Sequence, residues 1–244
     1  MGSKGLSGFA QGLSKSKSLQ NLTLILRNNQ IEDEGILALG QSFADNLTLK
    51  SFKIALGSNK IGIYDDTCLA ALVISKNLIN LSIDFGINLI DNRYLQQFSS
   101  KLKNCLNLIS LELLFSSKFY CFGVKEAQNL CYSIIQMKKL QRLTINLSVL
   151  HIENKDLMSL LPILANCSNL VLFNIQILQL NFSNSKQICI KFNNKKQLDS
   201  IRKRYSIFGA LDKLIEKSNS FLAKYKELKL MTLSNCEPPP TIIE

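Results

Sequence analysis

A single motif returns six times along this chain, and a chain built on a repeat of that length has few folds open to it. The segments begin at Leu19, Leu49, Leu78, Leu108, Leu140 and Leu170, with starts 30, 29, 30, 32 and 30 residues apart. Each reads apolar-x-x-apolar-x-apolar, as in Leu19-Gln-Asn-Leu22-Thr-Leu24 and Leu108-Ile-Ser-Leu111-Glu-Leu113. The apolar alternation then runs one step further, through Leu26, Leu56, Phe85, Phe115, Leu147 and Ile177. Alternation at period two is what a half-buried strand needs, because successive side chains point to opposite faces. Six strands are therefore predicted to present the same apolar ladder to a core.

The punctuation after each strand also repeats. Asn29 precedes Ile31, Asn59 precedes Ile61 and Asn88 precedes Ile90, while Lys118 and Tyr120, and Leu150 and Ile152, hold the equivalent places in units four and five. An Asn at such a place has both donor and acceptor for neighbouring turn backbone. Cap residues come next (Asp33, Asp65 or Asp66, Asp91, Asn154), followed by apolar residues at helical spacing. These are Ile36, Leu39, Phe43; Leu69, Leu72, Val73; Leu95, Phe98, Leu102; Leu130, Ile134; and Leu157, Leu161, Leu164. Strand, turn and helix in that order return the chain to the same end of the sheet, so neighbouring strands are predicted to be parallel.

These residues resemble the leucine-rich repeats of the ribonuclease-inhibitor-like type. The stretch Gln30-Ile-Glu-Asp-Glu-Gly35 and the lead-ins Leu102-Lys-Asn-Cys105-Leu-Asn-Leu108 and Leu164-Ala-Asn-Cys167-Ser-Asn-Leu170 look like the expanded repeat proteins of ciliate protists. The likeness covers roughly residues 5 to 180. It implies an α/β solenoid, a horseshoe with parallel strands on the concave face and helices on the convex face. Two features depart from the family pattern. The Asn falls five residues after the last Leu of the motif rather than three, which lengthens each strand, and it is absent from units four and five, which loosens the turn there.

The organisation expected is a repeat array over 1–181, an irregular basic capping unit over 182–236 and a Pro-containing tail over 237–244. Residues Gly5 to Leu19 read as the helical half of a unit, either a cap or the start of a piece of a longer protein. Past Ile177 the period fails. Gln187 to Phe192 alternates like a strand, Lys196 to Lys224 has helical spacing, and Leu228 to Leu233 alternates again.

The formal charge is +11, and most of it is C-terminal: residues 182–230 hold 12 Lys and Arg against 4 acids. Lys186, Lys191, Lys195, Lys196, Arg202, Lys203 and Arg204 form a candidate basic patch for RNA or another polyanion, or simply a solvated face. The seven Cys show no C-x-x-C pair and no metal-ligand spacing, so they read as buried apolar residues in a reduced, intracellular and cytoplasmic setting. No run of 18 apolar residues occurs, and residues Met1 to Ala10 lack an apolar h-region, so no secretory signal is expected.

Chemistry is sparse. His151 is the only histidine, it sits in a turn, and no nucleotide-binding or nucleophile motif occurs. The acids Glu32-Asp33-Glu34 and Asp65-Asp66 sit where helix N-termini favour negative charge. The expectation is therefore no catalytic, cofactor-binding or metal residue, and no enzyme. The free strand positions are dominated by small polar residues, with Ile25, Leu114 and Leu172 as isolated apolar ones, and Lys53, Asp84, Glu112, Arg142, Asn174 and Gln176 are the candidate concave-face contacts. The function expected is a protein-protein interaction or scaffold module, as a subunit of a larger assembly. The alternatives are RNA contact through the basic unit, or the regulatory repeats of a larger enzyme such as a kinase.

Overall fold

The computed structural model describes residues 1–44, 46, 48–73, 77–115, 123–147, 160, 167, 169–181 and 184–192. Among the described residues, helices and strands alternate as far as β5, after which two strands follow: α1 (Ser3–Ser14), β1 (Asn21–Ile25), α2 (Asp33–Ala44), β2 (Ser51–Ala55), α3 (Cys68–Ala71), β3 (Asn80–Asp84), α4 (Asn92–Leu102), β4 (Ser110–Leu114), α5 (Val124–Ile134), β5 (Arg142–Leu147), β6 (Leu172–Asn181) and β7 (Asn184–Phe192). All seven strands join one open sheet in sequence order, and β1 to β6 are parallel.

The pairing register reproduces the repeat alignment without slip. Leu22 pairs with Phe52, Phe52 with Leu81, Leu81 with Leu111, Leu111 with Leu143 and Leu143 with Phe173. A slip of one residue would turn every apolar side chain to the solvent face, so the alternation enforces this register. The inward residues Ile54, Ile83, Leu113, Ile145 and Ile175, and behind them Leu56, Phe85, Phe115 and Leu147, are buried in one continuous core. Phe85 stacks on Phe115 with ring centroids 4.5 Å apart and meets Phe98 edge-on, so strands and helix α4 share an aromatic seam.

The shifted Asn finds its explanation here. Described strands β1 to β4 have five residues each, and the backbone ladder continues one residue beyond them through Leu26, Leu56, Phe85 and Phe115. Asn59 and Asn88 lie three residues after Leu56 and Phe85, and their side-chain amides bond to those carbonyls at 2.7 and 2.6 Å. Each also reaches the preceding unit. Asn59 accepts from the Asn29 and Ile31 amides and donates to the Leu26 carbonyl, while Asn88 accepts from Ile61 and donates to Leu56. Turn polar groups that would otherwise be buried unpaired are thus satisfied across units.

The strand expected over Gln187 to Phe192 is present as part of β7, and it reverses direction, pairing antiparallel with β6. Only two residues separate β6 from β7, too few for the crossover a parallel pair requires. The third helix is shorter than its apolar spacing suggests, a single turn over Cys68–Ala71. Its lead-in has other work: the amides of Gly62, Ile63, Tyr64 and Asp65 all point at the carboxylate of Asp33. Asp33 was expected to cap its own helix, and instead it closes the next unit's turn. Asp91 does cap α4, accepting from the Arg93 and Tyr94 amides.

The turns at Lys118 and Tyr120, and at Leu150 to Ile152 with His151, lie outside the described residues. So do Asn154, Leu157, Leu161 and Leu164, the helical spacing from Lys196, the strand at Leu228 and the tail.

Candidate interaction face

The side of the sheet opposite the buried ladder carries the alternate strand residues, and the register divides these positions into three rows. The first runs Asn21, Ser51, Asn80, Ser110, Arg142, Leu172; the second Thr23, Lys53, Ser82, Glu112, Thr144, Asn174; the third Ile25, Ala55, Asp84, Leu114, Asn146, Gln176. Strands lie about 4.8 Å apart, so Lys53 and Glu112, two strands apart in one row, are separated by roughly 10 Å of sheet. Lys53 and Arg142 are exposed, and Asp84, Glu112 and Asn174 are half-buried. Gln176 occupies its register position beside Asn146.

The two acids on this face are already engaged. Ser82 Oγ donates to Glu112 Oε2 at 2.6 Å, between neighbouring strands. Asp84 takes the Gly86 amide on Oδ1 and an ion pair from Arg27 on Oδ2 at 2.5 Å. Arg27 follows β1 and spans β2 to reach β3, its stem lying 3.6 Å from where a Cβ on Gly57 would sit. Sequence reasoning missed Arg27 because it falls after the strand, and only the sheet shows that it crosses to Asp84. The cations Lys53 and Arg142 form no ion pair among the described residues.

The basic patch divides. In the backbone register Lys191 lies opposite Asn174 of the second row, whereas Lys186 lies opposite Gln179. Their spacing of five residues puts them on opposite parities of β7. Lys195, Lys196, Arg202, Lys203 and Arg204 lie outside the described residues.

A second exposed feature was not legible in the repeat pattern. The turns after β2 and β3 carry Ile63, Tyr64, Ile87 and Leu89, with Tyr64 76% exposed. The Ile87 carbonyl accepts from the Ser58 amide and the Leu89 amide donates to the Ile61 carbonyl, so the two turns are stitched together along one rim. These apolar residues follow no period, and periodicity was the only signal the sequence offered.

Of the acids singled out earlier, Asp33 and Asp65 are engaged in hydrogen bonds within the fold. Asp33 is 1% exposed, and its carboxylate accepts four backbone amides, the Tyr94 hydroxyl at 2.9 Å and the Cys68 thiol at 3.4 Å. Burial alone would raise its pKa, but the Gly62, Tyr64 and Asp65 amides and the Tyr94 hydroxyl together hold it below the ordinary carboxylate value. Burial and the Asp33 charge push the Cys68 thiol up. Burial also pushes up Cys131, and Cys105 to about 12. None of the three is a ready thiolate at neutral pH. Asp65 Oδ1 is taken by the Thr67 amide and hydroxyl. Among the described residues no group of three or more His, Cys, Asp or Glu is placed to hold a metal ion, and no helix is long and apolar enough to cross a membrane.

No protein-family model matches the chain, and no curated protein sequence matches it.

Proposed function

We propose that this chain is a leucine-rich-repeat solenoid of the ribonuclease-inhibitor-like type that acts as a non-catalytic, intracellular docking scaffold for another protein. The observation that carries the reading is the register. Six units hold the same residue positions in line, so three rows of residues are displayed on a surface whose backbone, inside the β1 edge, is tied into the sheet. A surface of that kind loses little conformational freedom on binding, which favours recognition by shape and charge. Lys53 and Arg142 supply the unneutralised charge, and the complementary partner surface is acidic.

A second reading, contact with RNA or another polyanion, is favoured by Lys191, which lies opposite Asn174 of the Lys53 row in the backbone register. Salt separates the two. Affinity purification of the intact protein at low and high ionic strength, with identification of whatever accompanies it, tests both. A protein partner retained at high salt supports the scaffold. Nucleic acid that is lost steeply with salt favours the polyanion reading, because phosphate binding releases condensed counterions.

A further inference from the structure

Among the described residues the sheet has two edges, and they differ in chemistry. β7 carries Lys186 and Lys191 within the strand, and charge of that kind discourages further strand addition. β1, the other edge, is Asn21-Leu-Thr-Leu-Ile25, with no charge, no Pro and no bulge. Among the described residues it pairs only with β2. The Ser51 amide donates to the Gln20 carbonyl and the Leu26 amide to the Ala55 carbonyl. The even-numbered residues therefore serve β2, and ladder alternation turns the amides and carbonyls of Asn21, Thr23 and Ile25 to the open edge.

The apolar packing at this end is incomplete as well. Leu22 is only partly buried, while Phe52, Leu81, Leu111 and Leu143 of the same row are 1–2% exposed. Leu13 and Leu19 are likewise partly buried. Ile25 is 75% exposed.

We infer that the β1 edge is a self-association surface, where a second copy of this chain adds its own β1 antiparallel about a two-fold axis through Thr23. In that register Thr23 faces Thr23, Asn21 faces Ile25 and Leu22 faces Leu24 of the other copy. The residues whose backbone groups are free are the ones brought opposite each other, giving about six new hydrogen bonds. The inward pairs are Leu on Leu, and the central pair is Thr on Thr, both favourable across strands. No like charges meet, since Arg27 falls opposite Leu19 and Lys17 opposite Asn29. Head-to-tail joining of β1 to the β7 edge of another copy would not close, whereas the two-fold does.

Light scattering coupled to size exclusion on the whole chain, with loading near 50 µM, is expected to give twice the chain mass, a concentration suited to an interface of micromolar affinity or tighter. Thr23→Lys sets like charges opposite each other on an exposed position and is expected to weaken the dimer at least about tenfold while leaving the circular dichroism unchanged. Thr23→Cys treated with a short bis-maleimide is expected to give a covalent dimer absent from the parent chain and from Thr144→Cys, which lies four strands away in the same row. A monomeric parent chain overturns the inference. So does a dimer that Thr23→Lys leaves intact and Thr23→Cys does not cross-link.

Discussion

The Tyr94 hydroxyl, on helix α4 of the third unit, donates a 2.9 Å hydrogen bond to the carboxylate of Asp33, 61 residues earlier at the start of α2. The same carboxylate gathers the amides of the intervening turn, so one buried anion ties three successive units together. Asp33→Asn keeps the size but puts an amide where donors converge. It should cost about 2–4 kcal/mol of unfolding free energy, with Tyr94→Phe costing about 1–2 kcal/mol. Urea titrations at neutral pH measure both.

The pH dependence has a definite sign. A carboxylate held below its unfolded value contributes stability that is fully present above the unfolded pKa of about 4 and is lost as pH falls through the folded value. The stability gap between the parent chain and Asp33→Asn should be constant from neutrality down to about pH 5 and shrink at lower pH. A gap of equal size at neutral pH and near pH 2.5 would count against Asp33 being the ionised acceptor.

Asn59 and Asn88 serve backbone groups on both sides of a unit boundary, so replacing either with Ala orphans several buried polar atoms. Each substitution should cost about 2–3 kcal/mol. Asn29→Ala should cost about 1 kcal/mol or less, because its amide serves the Arg27 carbonyl at the exposed end of the ladder. Thermal unfolding of the three variants ranks them, and equal losses would refute the ladder as the source of the difference.

Three glycines, Gly40, Gly62 and Gly86, are fixed by close backbone approach, and two of them serve as tests. Gly86 has φ +52°, and a Cβ there would lie 2.2 Å from the Gly57 Cα; a Cβ on Gly40 would lie 2.4–2.6 Å from Ala71. Gly86→Ala and Gly40→Ala should each destabilise by about 2–4 kcal/mol, the first through strain as well as overlap. Gly12→Ala, with open space around it, should stabilise α1 by roughly 0.5–1 kcal/mol. Unfolding midpoints that fail to separate Gly12→Ala from the other two would contradict the packing described.

On the open face, Lys53→Glu and Arg142→Glu should leave stability within about 0.5 kcal/mol, because both side chains are exposed. They should weaken capture of an acidic partner, most strongly at low salt. Arg27→Ala, which removes a surface ion pair, should cost less than about 1 kcal/mol. Pull-down yield against salt for the two charge reversals is the readout, and unchanged yield would move the docking surface to the rim of Ile63, Tyr64, Ile87 and Leu89.

Much of this architecture is written locally. The alternation Leu22, Leu24, Leu26 and its copies leave one register that buries the apolar set, and the Asn three residues beyond Leu56 and Phe85 is tied to the carbonyl it bonds. Strand positions, parallel order through β6 and the inward ladder follow from spacing alone. The candidate face was legible to the same degree, since the residues between the inward positions have nowhere else to point.

What spacing could not decide is where a side chain finds its partner. Asp33 sits at a helix start, where capping is the local solution, yet the turn of the next unit offers four amides against the one or two a helix end provides. Arg27 reaches Asp84 only because a single strand, β2, lies between them, with Gly57 leaving room. β7 reverses because the link from β6 is short, and α3 shrinks because its lead-in is committed to Asp33. The sequence by itself determined the period, the strands and the face they share, because those depend on neighbours a few residues away. The cross-unit contacts and the unpaired β1 edge were decided by the tertiary structure, because their energies exist only once units separated by some thirty residues are packed side by side.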